Sequence, residues 1–121
     1  MSYDANNIFA RILRGEIPSK KLYENEHAFA FHDIRPLAPV HVLVIPKGPY
    51  VSATDFAEQA SPAEQAGLFK AIGEVVRLTG VGPGGYRLLV NNGADANQEV
   101  AHLHFHVVGG RPLGRMLAKA D

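Results

Sequence analysis

The chain has 121 residues, 46% hydrophobic and 20% charged, a composition typical of a soluble globular domain. Its formal net charge is zero, so we exclude nucleic-acid polymers and anionic membranes as expected partners. No stretch approaches the roughly 18 apolar residues of a membrane span, and the first residues do not resemble a secretory signal. The absence of cysteine excludes disulfides and thiolate metal sites. We expect one cytoplasmic domain over residues 1–121.

The first part of the chain predicts a short helix, a hairpin and a buried strand. Asn6 or Asn7 caps a helix whose apolar residues recur at helical spacing, and Gly15 is placed to end it. "KKLYENE" and "HAFAFHD" predict two short antiparallel strands. The two prolines of "DIRPLAPVH" predict a loop. "VHVLVIP" is continuously apolar, which indicates a central strand.

The second part predicts one long helix and two further strands. Ser61 opens a capping box with proline at the first helical position, and the apolar stripe then runs to Gly80. "VGPGG" predicts a turn, "YRLLVN" a strand, "NGADANQE" a polar loop and "VAHLHFHVV" the last strand. We therefore predict an α+β fold with an antiparallel sheet of about five strands, and residues 109–121 as a C-terminal tail.

Three of the six histidines occupy alternate positions of the predicted last strand. Side chains alternate between the two faces of a strand, so His102, His104 and His106 are predicted to form one row, with Leu103 and Phe105 facing the core. Imidazoles this close together resist simultaneous protonation. We expect mostly neutral bases at pH 7, with at most one cation.

Such a row suits two chemistries, to which the spacing alone gives equal weight. In the first, a neutral ring nitrogen attacks phosphorus while neighbouring N–H groups stabilise the phosphoryl oxygens. In the second, two of the histidines chelate Zn²⁺ with a further ligand from elsewhere. A merely structural or surface row is the third alternative. The amide side chains of "ADANQE" favour an anionic substrate, and Gly109 and Gly110 allow another chain segment to approach. Asp95 or Glu99 could orient zinc-bound histidines, so the metal alternative stays open.

The sequence resembles the histidine triad family over nearly its whole length. "HLHFHVV" is similar to the family signature His-φ-His-φ-His-φ-φ, where φ is apolar. "IFARILRGEIPSKKLYE", "AFHDIRPLAPVHVLVIPK", "GYRLLVNNG", "QEVAHLHFHVVGG" and "RPLG" resemble, in order, segments of the Hint branch, the purine nucleoside phosphoramidases, in a bacterial style. The resemblance implies an antiparallel α+β sheet with flanking helices, usually in a homodimer whose two sheets join.

The resemblance also implies an activity. Members of this branch hydrolyse adenosine or guanosine 5′-phosphoramidates to AMP or GMP and an amine, through a nucleotidyl-histidine intermediate and without a metal or other cofactor. His104 matches the nucleophile, while His102 and His106 match flanking phosphate ligands and proton carriers. His41 matches a fourth active-site histidine, and its place among apolar residues of a central strand requires a polar partner.

Further positions match the nucleotide-binding residues of the family. They are Ile8, Phe9, Phe31, His32, Asp33, Ile34, Asn91, Gln98 and Glu99. The apolar members match the base contacts, although such residues are equally typical of a core. Asp33 matches the residue that binds the ribose hydroxyls and is equally typical of a turn. Asn91 and Gln98 match polar contacts near the phosphate and the leaving group, or satisfy loop backbone instead, and Glu99 lies on the amine side.

The chain departs from the family pattern at two places. Relatives commonly carry Gly-Gly where this chain has Ala96 and Asn97, and an aromatic residue where it has Ala101. Because asparagine tolerates a left-handed backbone, we expect the loop to keep its shape. The missing aromatic residue is expected to open space near the site. In relatives the segment corresponding to residues 111–117 often reaches the partner subunit's site.

Two other functions remain open from the sequence. One is hydrolysis of dinucleoside polyphosphates, or nucleotidyl transfer, the activity of sister branches of the family. The other is a nucleotide- or zinc-binding scaffold whose role is interaction with a partner.

Overall fold

The chain folds around one antiparallel sheet of five strands. The computed structural model describes residues 2–118, and the remainder of the predicted tail, residues 119–121, lies outside the described residues. The strands are β1 (Lys21–Glu24), β2 (Ala28–His32), β3 (Val40–Pro46), β4 (Tyr86–Val90) and β5 (Phe105–Gly109), and the helices are α1 (Ile8–Leu13), α2 (Ala53–Gln59) and α3 (Pro62–Thr79). The strand order is β1-β2-β3-β5-β4. This confirms the predicted α+β fold.

The central strand β3 is covered on both faces, as its apolar sequence predicts. Val42 and Val44 belong to the core cluster beneath α3, whereas Leu43 and Ile45 belong to a second cluster beneath α1. His41 shares the face of Leu43 and Ile45 and is only 4% exposed. A histidine is therefore built into the apolar face that α1 covers.

The three helices begin at well-formed caps. The Asn7 side chain accepts a hydrogen bond from the Ala10 N–H at 2.9 Å and so starts α1. Ser61 and Glu64 form the predicted capping box of α3. Helix α2 was not predicted from the sequence, because seven residues are too few to show a helical periodicity. Among the described residues, no helix combines the length and apolar character that crossing a membrane would require.

The prediction for the last strand is wrong in its first half. β5 begins only at Phe105, because its pairing with both β3 and β4 ends there. Before that residue the chain turns to other partners, and the Leu103 N–H donates to the Tyr50 carbonyl at 2.8 Å. His102 and His104 thus precede the strand, in a segment that ordinary ladder geometry does not constrain.

Candidate active site

Four histidines from two strands and one connecting segment meet at the α1 side of the sheet. His106 lies on β5, paired opposite Leu43 of β3, two residues beyond His41. The ring centroids of His41 and His106 are 5.2 Å apart, and those of His104 and His106 are 5.1 Å apart. The antiparallel register of β3 and β5 thus brings the fourth histidine to the predicted row.

His41, His104 and His106 line a cleft of about 400 Å³. The other residues that line it are Asp33, Arg35, Leu37, Asn91, Ala96, Asn97 and Glu99. Both charged and amide side chains therefore face the three rings, which is the composition expected around a charged ligand.

A backbone carbonyl fixes the tautomer of His104. The Nδ1 atom of His104 lies 2.7 Å from the carbonyl oxygen of His102. A carbonyl can only accept, so Nδ1 carries the proton and donates it. Burial lowers the pKa of His104, which keeps the ring neutral at pH 7. Its remaining nitrogen, Nε2, then holds a lone pair and is a nucleophile or base for the cleft.

A second chain of hydrogen bonds fixes His41 and His106. The Leu37 N–H donates to Nδ1 of His41 at 3.1 Å, so the His41 proton is on Nε2. This Nε2–H donates to Nδ1 of His106 at 2.9 Å, and the His106 proton is therefore on its own Nε2. That atom is buried and has no hydrogen-bond partner among the described residues. A buried N–H without a partner is costly, and it is ready to donate to a ligand in the cleft.

His102 has a different environment from the other two histidines of the motif. It is fully buried, its Nε2 donates to the Pro46 carbonyl at 2.9 Å, and its Nδ1 accepts from the Tyr3 hydroxyl at 2.5 Å. Both ring nitrogens are therefore occupied by protein. No ring nitrogen of His102 is left for the phosphate contact that the resemblance implies, and its carbonyl accepts from Nδ1 of His104.

All four histidines are neutral at pH 7. Burial lowers the pKa of His102 and of His106 to about 4, and it also lowers the pKa of His41 and His104. Asp33 opposes this effect and favours a higher pKa of His41, because its carboxylate oxygen lies 3.5 Å from Nε2 of His41. Burial thus explains the neutral bases that the sequence predicted, and no cation is expected among these four rings at neutral pH.

Comparison with known proteins assigns the family. Residues 14–113 match the HIT domain. This chain belongs to the HIT domain family. A 13.2 kDa HIT-like protein of Azospirillum brasilense is 64% identical, covering 98% of this chain and 97% of its own length. Purine nucleoside phosphoramidase of Escherichia coli strain K12 is 39% identical over 92% of each protein. The structure of a HIT family hydrolase from Clostridium thermocellum superimposes with a TM-score of 0.81 at 37% identity, covering 93% of this chain and 97% of that one.

Two of the predicted base contacts of this HIT domain lie in the core. Phe9 and Phe31 are buried in the cluster beneath α1, with ring centroids 5.6 Å apart. Phe9 also packs edge-on against His104 at 4.9 Å. Ile8 and Ile34 are 44% and 85% exposed. The structure therefore brings Phe9 to the histidines, but as a wall that supports the ring of His104.

Asp33 connects the histidine cleft of the HIT domain to a neighbouring one. The second cleft measures about 460 Å³ and is lined by Lys20, His32, Asp33, Ile34, Pro36, Pro39 and His41. Asp33 and His41 line both clefts. One Asp33 oxygen accepts from the Arg35 N–H at 2.8 Å, which is the turn role considered from the sequence. Three predicted nucleotide contacts, His32, Asp33 and Ile34, thus share one surface.

The loop between β4 and β5 contributes some of its predicted contacts. Asn91 and Glu99 line the histidine cleft. Gln98 does not, because its amide donates to the Val51 and Val100 carbonyls and its oxygen accepts from a loop N–H. These bonds fit the alternative considered from the sequence, in which Gln98 satisfies loop backbone. Asn97 adopts φ 57°, which confirms the expected left-handed position.

One set of atoms in the site could hold a metal ion. Ligand atoms of Asp33, His41 and His106 lie within 4.8 Å of one another. One carboxylate and two imidazoles suit Zn²⁺. The set differs from the predicted His-x-His pairs, because it contains only His106 of the three motif histidines. Both ring nitrogens of His102 are occupied by protein. A metal here would have to displace the His41 proton donated to His106.

Several residues that shape the site could not be predicted from the sequence. Tyr3 contacts a histidine 99 positions away, and Leu37 orients His41 through its backbone N–H. Pro46 acts through its carbonyl. Backbone groups act without regard to residue type, so no side-chain motif could have revealed these two. Tyr3 carried no local pattern that connects it to the motif.

Proposed function

We propose that this HIT domain protein hydrolyses the P–N bond of purine nucleoside 5′-phosphoramidates, without a metal, to AMP or GMP and an amine. One observation carries the proposal: the His102 carbonyl holds the proton of His104 on Nδ1, which leaves Nε2 as a neutral nucleophile beside the cleft. The relative from Escherichia coli named purine nucleoside phosphoramidase supports the substrate class.

The reaction follows from the two fixed tautomers. Nε2 of His104 attacks phosphorus while the N–H of His106 donates to a phosphoryl oxygen, and the bond from phosphorus to the amine nitrogen breaks as the amine takes a proton from solvent. Water then attacks phosphorus, breaks the bond to His104 and releases one proton to solvent, which balances the proton taken by the amine. The nucleoside monophosphate leaves and the starting tautomers are restored.

The two adjoining clefts suit the two halves of a nucleotide. A phosphoryl group beside His104 and His106 leaves the ribose next to Asp33, whose carboxylate accepts from sugar hydroxyls. The base then extends over His32 and Ile34 in the second cleft. The same family resemblance supports a homodimer.

The test uses the full chain treated with a chelator and then given adenosine 5′-phosphoramidate. We expect AMP and the amine to appear at the same rate as with untreated protein, and no turnover from His104→Ala. A dinucleoside polyphosphate assayed in parallel should react more slowly. Complete dependence on added metal, or equal activity in the variant, would refute the proposal.

A metal-binding function is the second candidate, because the site holds the cluster of Asp33, His41 and His106. Titration calorimetry with Zn²⁺ distinguishes the two. A zinc-binding role predicts a complex that is lost in His41→Ala and whose affinity nucleotide does not reduce. The phosphoramidase predicts either no complex or one that AMP displaces and that inhibits turnover.

A further inference from the structure

The residues before α1 are tied to the helix by hydrogen bonds. The side chain and carbonyl of Asp4 accept from the backbone N–H groups of Asn6 and Asn7. From the other end of α1, Arg14 donates to a carbonyl of this segment at 2.7 Å. These bonds give the segment a defined path, which carries Tyr3 to the histidines.

Tyr3 completes the environment of His102. Its hydroxyl donates to Nδ1 of His102 at 2.5 Å, and the two rings meet edge-on with centroids 5.5 Å apart. Because Nε2 of His102 donates to the Pro46 carbonyl, the neutral ring can only accept at Nδ1. Phe9 covers the same ring edge-on at 6.3 Å. The ring is thereby held at both nitrogens and along one side.

The anchored His102 contacts the nucleophile directly, through its own backbone carbonyl. The carbonyl that accepts from Nδ1 of His104 belongs to His102 itself. This part of the chain lies before β5, so no strand ladder holds it in place. The Leu103 N–H, in the same peptide plane, donates to the Tyr50 carbonyl at 2.8 Å, so the orientation of the His102 carbonyl depends on this bond together with the anchored His102 ring. The anchor of that ring includes the Tyr3 hydroxyl.

We propose that Tyr3 is a positioning residue, whose hydroxyl locks His102 so that the His102 carbonyl holds His104 with Nε2 toward the cleft. The inference rests on the proposed role of His104 as nucleophile. Tyr3 does not line either cleft, so it acts through His102 and not on the substrate. The N-terminal segment is thus part of the active-site framework.

Few titratable groups lie next to the His102 ring. Tyr3 faces it from the N-terminal segment and His104 from its own segment, while α1 offers only Phe9 and β3 only a carbonyl oxygen. The Tyr3 hydroxyl stabilises the neutral ring by donating to its lone pair. Removing that hydroxyl is therefore expected to raise the pKa of His102.

Tyr3→Phe removes the hydroxyl and keeps the aromatic ring, and Tyr23→Phe on β1 is the matched control. We expect Tyr3→Phe to lower kcat for adenosine 5′-phosphoramidate about five- to tenfold with KM unchanged, because one orienting hydrogen bond is lost. The acid limb of the kcat profile should move to higher pH. Tyr23→Phe should match the wild-type protein in all three respects.

Nitrogen-15 NMR of the histidine rings tests the same inference without any turnover. In the wild-type protein, we expect His102 to stay neutral with its proton on Nε2 down to about pH 5. In Tyr3→Phe, His102 should titrate at higher pH, and the Nδ1–H signal of His104 should shift or broaden. These changes would support the positioning role even if the wild-type protein failed to hydrolyse phosphoramidates, an outcome that would refute only the proposed function.

Two results would overturn the inference. One is a Tyr3→Phe protein whose His102 and His104 signals are those of the wild type, whatever its kcat, since a loss of rate without ring changes would be a general structural effect. The other, provided that the wild-type protein turns over the phosphoramidate, is altered ring signals accompanied by kcat and a pH profile equal to those of Tyr23→Phe.

Discussion

Proton positions in this site are determined by groups that have only one hydrogen-bonding role. The carbonyl of His102 can only accept and the N–H of Leu37 can only donate, and from these two the tautomers of His104, His41 and His106 follow in turn. The motif predicted three histidines for the chemistry. The structure divides them, because the two free nitrogens in the cleft belong to His104 and His106, whereas His102 is a support.

The N–H of His106 that lacks a partner among the described residues is expected to stabilise the charge on the phosphoryl oxygens. His106→Ala removes this donor and should lower kcat on the order of 10²-fold, since loss of one such donor costs about 10²–10³-fold. His32→Ala, an exposed histidine outside the triad, is the control and should change KM more than kcat. Steady-state kinetics on a phosphoramidate measures both. A His106→Ala protein with near wild-type kcat would show that another group stabilises the phosphoryl oxygens.

Asp33 is expected to bind the ribose. Asp33→Asn should raise KM roughly tenfold, because a hydrogen bond to a charged acceptor is worth about 1.5–3 kcal/mol. The penalty should shrink for a 2′-deoxy substrate, which lacks one of the donors. An equal increase in KM for both substrates would indicate that Asp33 acts through His41, whose Nε2 lies 3.5 Å from its carboxylate, and not through the ribose.

The sequence pattern was sufficient to predict those helices and strands whose signals lie within their own residues. The capping box and apolar stripe determine α3, and the continuous apolar run determines β3. The extent of β5 could not be predicted in the same way, because a strand ends where its neighbours stop pairing, and that position depends on residues remote in sequence. The loop before β5 shows the opposite case, since the left-handed preference of Asn97 could be inferred from residue type alone.

The left-handed backbone conformation of Asn97 leads to a prediction about the stability of the protein. Asn97→Val places a β-branched residue at φ 57° and should cost about 1–2 kcal/mol of unfolding free energy. Asn97→Gly should be neutral within a few tenths. Asp95→Val, an exposed position of the same loop, controls for surface hydrophobicity. Urea denaturation compares the four proteins, and a fully stable Asn97→Val would contradict the described loop conformation.

The protein as a whole buries several neutral imidazoles, which makes its stability depend on pH. Burial lowers the folded-state pKa of His102 and His106 to about 4, below the ordinary value of 6.5, so the unfolded chain binds more protons. The free energy of unfolding is therefore highest above pH 6.5 and decreases as the pH falls toward 4. The melting temperature should fall over that interval, and less steeply for His106→Asn. A flat profile between pH 7 and 4.5 would contradict the burial.

The topology of the whole molecule explains what the sequence could not provide. The family signature predicted the sheet and its histidines, yet the site also requires the N-terminal segment, the loop that follows β2 and the carbonyl that ends β3. These parts meet only because β3 is central and pairs with β5. Contacts of this kind are set by the fold and are not encoded as a motif.

The central claim is that Nε2 of His104 forms a covalent bond to phosphorus, and mass spectrometry of a reaction quenched by rapid mixing tests it directly. With adenosine 5′-phosphoramidate as substrate, the mass should increase by one adenylyl group, and peptide mapping should locate it on His104. The adduct should be absent from His104→Ala and should form more slowly in His106→Ala. Substrate turnover with no adduct at any quench time, or an adduct on another histidine, would contradict the account.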